Sequence, residues 1–513
     1  MTDFFLAALV VSLLLCLMSG FPVAFVLGGV SLAVAGIATL VGIFDPSFLT
    51  AIPQRIFAAM TNDLLLAVPA FVFMGAMLER SGIASEMLDG IGRLFGRRRG
   101  GLGYAITIVG ALLAASTGIV GATVTTMALL SLPVMLKWGY SPRLASGAIC
   151  AAGTLGQIIP PSLVLVLLAD TISSAYQKAQ LAQGIFSPET VSISDLFAGA
   201  IVPGFLLVAV YLVFQAAVAF FLPQTSPPPP EQSAEDASIG VFELATQLLP
   251  PLALIVGVLG SILGGVATPT ESASIGAVGA ILLAGFGKER RGWANAGLGL
   301  LAFLVILKQV VFPFFGASLL VERLVLAVPT LGFVAILGIA LISTWRSNNL
   351  ARVCTETARL SAMVFMILIG AAVLSLVFRG LGGEEAVHAL IEAAPGGVYG
   401  ALAMVMAVMF LLGFILDFIE IIFVIVPTVA PVLLMSGIDP IWLAILISMN
   451  LQTSFLTPPF GFALFYFRSS APPEISTKDI YLGVLPFIGL QVGVLMLVAF
   501  FPQISTWLPY ALR

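Results

Sequence analysis

Charge is what this sequence has least of. Of 513 residues only 9% are Asp, Glu, Lys or Arg, while 60% are hydrophobic. The mean hydropathy is +1.14. No soluble core absorbs that apolar share, so the chain reads as a polytopic membrane protein. His388 is the only histidine, which argues against His-ligated haem and multi-His metal sites. Cys16, Cys150 and Cys354 lie far apart with no Cys-x-x-Cys pair, so neither a disulfide framework nor a thiolate metal centre is indicated. HExxH, GxSxG and GxxxxGK[ST] patterns are missing, which argues against an intramembrane hydrolase and against ATP drive from this chain. No basic residue precedes Arg55, so the first apolar stretch lacks the basic start of a cleaved signal peptide. Residues 4–43 are expected to be retained membrane helix, interrupted at Ser19 to Pro22, with the N-terminus outside.

What is present is apolar length. At about 20 residues per span, the runs predict on the order of ten to fourteen membrane segments. The Pro-rich acidic stretch 222–238 can form neither a core nor a span, and it divides a first half (1–221) from a second (239–513). Basic clusters at Arg93 to Arg99, Lys288 to Arg291 and Arg346 to Arg359 mark cytoplasmic loops. The net charge of −4 carries no basic, aromatic-interleaved patch for nucleic acid.

The halves repeat. At an offset of 298, Pro133, Pro142, Pro160 and Pro161 fall on Pro431, Pro440, Pro458 and Pro459, and Gly139 falls on Gly437. Proline interrupts a helix locally, so matched prolines predict matched interruptions. The alignment leaves parallel and inverted copies both open. A weaker match, at an offset of 247, sets the segment around Pro22 beside that around Pro269. It implies an added helix pair at about 298–342 in the second half.

Leu102 to Leu136 is uncharged for 35 residues, about 52 Å as one helix against a hydrocarbon layer of about 30 Å. It must fold back, and the small and hydroxyl residues between Ala115 and Thr126 are the natural place. Each arm would be about 21 Å, so a re-entrant hairpin over 102–136 is predicted. Its copy, at 399–436, carries Asp417 and Glu420 at its centre. After each hairpin comes a broken helix, at 144–169 and 441–468. In the first, Gly153 and Gly156 relax the backbone, while Pro160 and Pro161 remove two amide donors. Irregular backbone at membrane depth is tolerated where it is buried or lines a cavity. The freed carbonyls suit a hard cation such as Na+, and the helix start beyond the break suits an anionic group. This pattern points to a sodium-coupled anion carrier; a channel suits two interrupted repeats less well.

Buried acids are costly, about 2.5 to 3.5 kcal/mol for Asp at a helix centre, so Asp417 and Glu420 are candidates for ion binding, with pairing to Arg379 as the plain alternative. Thr453, Ser454 and Thr457 are candidate ligands that could equally bond back to their own helix. Ser116, Thr117, Thr123 and Thr125 face the same choice, with Ser116 and Thr117 favoured at the tip. Thr268, Pro269 and Glu271 read as a capping box. Asp170 ends an apolar run and is expected at the interface, and His388 is expected in solvent.

The stretches GTLGQIIPPS (153–162), GGVATPTESA (264–273) and SGFPVAFVLGG (19–29) together resemble the large membrane subunit of TRAP (tripartite ATP-independent periplasmic) transporters, DctM-like. The stretch 449–468 is similar to the subgroup labelled mannitol/chloroaromatic, associated with 2-oxo acids, lactate and related carboxylates. The resemblance implies an all-α polytopic, inverted-repeat, elevator-type carrier of the ion-transporter superfamily with two re-entrant hairpins and two broken helices. It implies sodium ions as coupling ions with no other cofactor, a bacterial inner membrane, a small four-helix membrane subunit and a periplasmic solute-binding protein. One ion site would lie at Ser116, Thr117, Gly118, Gly153 and Thr154. The second would lie at Asp417, Glu420, Thr453 and Thr457. Gly121, Thr123, Pro160, Gln452, Ser454 and Pro458 would face the carboxylate between them, with Pro161 and Pro459 as structural members of the breaks. The alternative is a stand-alone sodium/anion symporter of the same superfamily. The linker and the added helix pair make the chain longer than expected for the family.

Overall fold

The computed structural model describes residues 1–95, 98–118, 120–228, 241–286, 291–308, 312 and 319–512. Most of the linker at 222–238 lies outside these residues. The described chain is a polytopic assembly of α-helices. Eight helices are long and apolar enough to cross a membrane, or nine when a bent pair is counted as one more span, with six shorter apolar helices beside them. The apolar runs expected as ten to fourteen membrane segments thus divide into full-length spans and shorter helices.

In the first half, α1 (Thr2–Met18) and α2 (Val23–Leu40) are separated at Ser19 to Pro22, where Pro22 precedes the first turn of α2. After α3 (Ile52–Met60) come α4 (Ala67–Arg80) and α5 (Ile83–Phe95), bent by 59° to each other. The first hairpin is α6 (Gly101–Thr117) and α7 (Val120–Lys137). The first broken helix is α8 (Pro142–Thr154) and α9 (Leu163–Ala182), and α10 (Ile193–Phe221) closes the half under a capping box of Ser192 and Asp195.

The second half opens with α11 (Val241–Leu263) and α12 (Pro269–Phe286). The segment expected to hold an added pair forms α13 (Arg291–Ile306) and α14 (Leu319–Arg346). Then follow α15 (Asn349–Gly380) and the short amphipathic α16 (Gly383–Glu392). The second hairpin is α17 (Gly397–Leu412) and α18 (Phe418–Met435), the latter with a π turn at Ile421–Ile425. The second broken helix is α19 (Pro440–Leu456) and α20 (Phe462–Ser470), followed by α21 (Thr477–Phe500) and α22 (Gln503–Leu512).

Backbone geometry follows the proline register. Pro142 and Pro440 each occupy the first turn of a broken helix, and Pro133 and Pro431 lie inside the preceding returning arms. Gly139 and Gly437, at φ +81° and +86°, make the same left-handed step between those elements. Both Pro-Pro peptides, 160–161 and 458–459, are cis.

The halves are interlocked rather than side by side. Among the outer helices, α2 packs on α15 and α12 on α4, each pair joining one half to the other. In the centre α8 packs on α21, α7 on α20, and α9 on α18. Close backbone contact supports the first of these, since a side-chain carbon at Gly147 would stand 2.1 Å from the carbonyl oxygen of Gly483. A core assembled this way buries the first break at Pro160 and Pro161, while the second stays open at Pro459 and Phe460. The helix α14 rests on α12 and α13 but is only 6% buried along its apolar window, so it sits on the lipid side.

Candidate transport site

The first hairpin turns at Gly118, at the start of the expected segment 115–126 rather than its middle. A φ of +61° explains the residue, because a side chain there would strain the backbone. The returning arm α7 therefore keeps 18 residues, about 27 Å, and reaches further than the 21 Å anticipated. Gly118 rests on the start of α9: a side-chain carbon there would lie 3.0 Å from the amide nitrogen of Leu163. The tip of the hairpin and the helix start beyond the break are thus in contact. The side chains of Ser116 and Thr117 lie outside the described residues.

Gly153 packs against Val124 of α7, and Gly156 against the carbonyl of Ala114. The face of α8 carrying Gly153 and the turn after it carrying Gly156 are both directed at the hairpin. Thr154 points elsewhere: its hydroxyl donates to the Ala151 carbonyl at 2.9 Å and accepts from the Gln491 amide at 3.2 Å, and Gln491 also donates to the Tyr211 hydroxyl at 2.7 Å. The hydroxyl of Thr154, assigned to the first ion site, is thus bonded to α8 and α21 rather than to the tip. Gly121 is covered by the Tyr466 ring of α20, whose Cζ would stand 2.7 Å from an added side-chain carbon. Thr123 is buried beside it in α7.

The second tip is built differently. Asp417 accepts from the Phe418 amide at 2.7 Å, and Glu420 accepts from the Asp417 amide at 3.0 Å, so the two acids form a capping box that starts α18. Arg379 bonds Glu384 at 3.0 Å instead, so the plain arginine pairing is not what holds them. Capping satisfies amide donors at the helix start and leaves carboxylate oxygens over. Glu420 is 6% exposed, so its carboxyl group sits in the protein interior.

Along α19 the polar residues fall on separate faces. Asn450 donates to the Met406 carbonyl at 2.9 Å and Ser454 to the Phe410 carbonyl at 2.8 Å, a pair of rungs tying α19 to α17. Gly413 gives this contact its closeness, because a side-chain carbon there would meet the Ser454 hydroxyl. Thr453 and Thr457 donate back to Met449 at 2.8 Å and Thr453 at 2.7 Å, so both hydroxyl protons are spent within the helix while their oxygens can still accept. Ser454 serves the hairpin contact rather than facing the first break.

A third face of α19 meets the first break. Ser448 donates to the Gln157 carbonyl at 2.9 Å, and Ser162 donates to the same oxygen at 3.0 Å. One turn on from Ser448 lies Gln452. Both Gln157 and Gln452 are completely buried, and neither amide's nitrogen or oxygen has a partner. A buried polar atom left unpaired costs about 1 to 3 kcal/mol, and natural interiors keep few of them. Two whole amides are thus left open where the broken helices cross. Pro160, Pro161 and Ser162 are buried with them, whereas at the second break Pro459 and Phe460 are exposed. Pro459 offers its carbonyl to the Tyr481 hydroxyl at 3.0 Å, and Pro458 is half-buried.

Sequence reasoning missed Gln157, although it stands in the GTLGQIIPPS segment, together with Ser448, Asn450 and Gln491. Polarity within an apolar run was the available signal for all four. Thr268 and Glu271 lie away from this centre, where the Thr268 amide donates to Glu271 at 2.8 Å and the Glu271 amide to the Thr268 hydroxyl at 3.3 Å, around the first turn that Pro269 begins. Asp170 lines a cavity and accepts from the Asn62 amide at 2.9 Å.

A family model described as "Tripartite ATP-independent periplasmic transporter, DctM component" matches residues 10–331 and 325–504. Among similar proteins, the C4-dicarboxylate TRAP transporter large permease protein DctM of Vibrio cholerae is 27% identical over 506 residues, 97% of each chain. The Pseudomonas aeruginosa protein of the same description is 25% identical over 93% of each chain. The ectoine/5-hydroxyectoine TRAP transporter large permease protein UehC of Ruegeria pomeroyi is 25% identical over 98% of each. With coverage this complete on both sides, the expectation that the chain is unusually long is corrected. Among solved structures, the fold is similar to that of the Alcanivorax borkumensis YdaH transporter, with a TM-score of 0.54 at 16% identity over 90% of this chain and 88% of that one. It is also similar to Neisseria gonorrhoeae MtrF, with a TM-score of 0.51 at 12% identity over 90% and 83%.

Proposed function

This chain belongs to the DctM component family of tripartite ATP-independent periplasmic transporters, and we propose that it is the large permease for sodium-coupled uptake of a small carboxylate. It is a transporter rather than an enzyme, and a multi-pass protein of the bacterial inner membrane. A tripartite carrier works with a small permease and a periplasmic binding protein, and in this reading a binding protein delivers the solute to the outer face.

The observation that carries the reading is the pair of open amides, Gln157 and Gln452, where the two broken helices cross. An amide nitrogen donates to a carboxylate oxygen, and an amide oxygen accepts from a solute hydroxyl or coordinates Na+. The start of α9 adds main-chain donors, since Ser162 caps none of them with its side chain. The tip at Gly118 and the backbone at Gly153 supply carbonyl oxygens for one sodium ion. The carboxylate oxygens of Asp417 and Glu420, with the accepting hydroxyls of Thr453 and Thr457, supply those for a second. Solute and ions then share one buried region, so each lowers the charge cost of burying the other. The interlocked halves support movement of the hairpins and broken helices as one body against the outer helices, in an elevator motion.

The test is uptake into vesicles holding the chain with its small permease and binding protein. Labelled pyruvate, lactate and succinate are offered with and without an inward sodium gradient. Sodium-dependent accumulation of at least one is expected. Accumulation that ignores sodium would overturn the coupling, and uptake of none would overturn the substrate class.

A further inference from the structure

Away from the crossing of the breaks, two cavities meet along α9. One of about 470 Å³ lies between α9, α15, α16 and α18, and another of about 240 Å³ lies between α3, α9, α15 and α18. Lys178 and Pro427 line both, so the two are continuous at Lys178. Sidedness follows from α15. Its 32 residues extend about 48 Å, with Arg352 and Arg359 in the first turns and Arg379 in the last. The basic start marks the cytoplasmic end, so Arg379, α16 and the joined cavities lie on the periplasmic side.

The charges facing this space sort into partnered and unpartnered. Arg379 is held by Glu384 at 3.0 Å, and His388 lies 3.4 Å from Glu392. Glu385 is exposed on the rim, and Asp170 at the inner end is bonded by Asn62. Arg55 of α3 and Lys178 of α9 form no ion pair with any described carboxylate and stand within electrostatic reach of each other across the cavity, with Arg379 and the Glu384 carboxylate also within reach of Lys178. Two like charges converging from different elements repel, and an anion between them removes the repulsion.

We propose that Arg55 and Lys178 form an outer carboxylate-capture site, bridging the outer helix α3 and the second arm of the first broken helix. Its second wall is the returning arm of the second hairpin, through Pro427, so an anion held there rests beside the elements that move. The site receives the solute before it reaches Gln157 and Gln452. The identity of the anion rests on the carboxylate reading above; the existence of the site does not.

The test separates the two. Ser174, exposed and lining the same cavity, is changed to cysteine in a chain whose exposed Cys354 is serine. Its modification rates by an anionic and a cationic methanethiosulfonate reagent are compared in the assembled complex. Replacing both cations (Arg55→Gln with Lys178→Gln) should lower the anionic-to-cationic rate ratio about tenfold, and the charge-conserving pair (Arg55→Lys with Lys178→Arg) should keep it. In uptake, the neutral pair should raise KM for the transported carboxylate about tenfold with Vmax retained. An unchanged reagent ratio overturns the proposal, as does a lowered ratio with an unchanged KM. If the unaltered complex imports none of the labelled carboxylates, the transport reading falls, while the reagent ratio still decides the anion site.

Discussion

Gln452→Met is the substitution in which a binding role and a structural role predict opposite signs. Gln452 is completely buried, and neither polar atom of its amide is bonded. Methionine has nearly the same volume and flexibility and carries no strong donor or acceptor. In the ligand-free protein the change removes two unpaired atoms at about 1 to 3 kcal/mol each, against a small packing loss under about 1.5 kcal/mol, so the variant should be as stable as the parent or more so. With solute bound, the same change deletes a hydrogen bond to a charged group worth about 1.5 to 3 kcal/mol. At 1.4 kcal/mol per factor of ten, uptake at low solute concentration should fall about 10- to 100-fold. Thermal unfolding of the full chain in nanodiscs gives the first quantity, and initial rates of sodium-driven uptake give the second. A melting temperature lowered by several degrees with uptake unchanged would show the glutamine to be a packing residue and would refute the reasoning.

Other substitutions test neighbouring parts of the site. Asp417→Asn keeps the capping oxygen, so stability should hold while the sodium concentration for half-maximal uptake rises severalfold; an unchanged sodium dependence removes Asp417 from the ion site. Thr154→Val breaks the bond from Gln491 and should cost about 1 kcal/mol in unfolding assays without altering sodium dependence, because the hydroxyl faces α21. A sodium effect would return it to the ion site. Gly413→Ala meets the Ser454 hydroxyl and should destabilise by about 1 to 3 kcal/mol, with partial recovery on adding Ser454→Gly, read by melting temperature.

Proline and glycine made much of the backbone legible in the sequence. The register from Pro133 to Pro161 and its copy reappear as matched helix starts, matched left-handed steps and matched breaks. These residues act on their own backbone, so no knowledge of the fold is needed to read them. Pairings across the chain were not legible. Thr154 is turned by Gln491 and Tyr211, residues far along the sequence, and nothing within 153–162 announces them. Gln157 was visible as a polar residue in an apolar run, but its open amide is a property of what packs around it. The Asp417 box is a different kind of miss. It carries the same acid-after-two-residues spacing that was read correctly at Thr268, yet charge inside an apolar run draws the eye to a counter-charge. A carboxylate can be held by helix amides as well as by an arginine.

Duplication and divergence do different work in this molecule. The repeat supplies two backbones with the same interruptions, each packed against elements of the opposite half. Were the side chains equally repeated, the two corners would bind the same species with the same affinity. They are not: one tip turns at Gly118 against the start of α9 and its sequence carries no acid, and the other starts its helix with two acids. Position 452 carries glutamine where its counterpart 154 is threonine, so the open amide of α19 has no copy in α8. A neutral corner of carbonyls binds a cation only together with a nearby anion, whereas an acidic corner holds one alone. Sodium would thus load first at Asp417 and Glu420, and the second ion and the carboxylate would load together at Gly118, Gln157 and Gln452. That order is measurable. Sodium should quench or shift a fluorophore placed near α18 without any solute, and the half-saturating sodium for a probe near Gly118 should fall severalfold when the transported carboxylate is present. Equal sodium responses at both probes, independent of solute, would mean that divergence of the tips has no part in coupling.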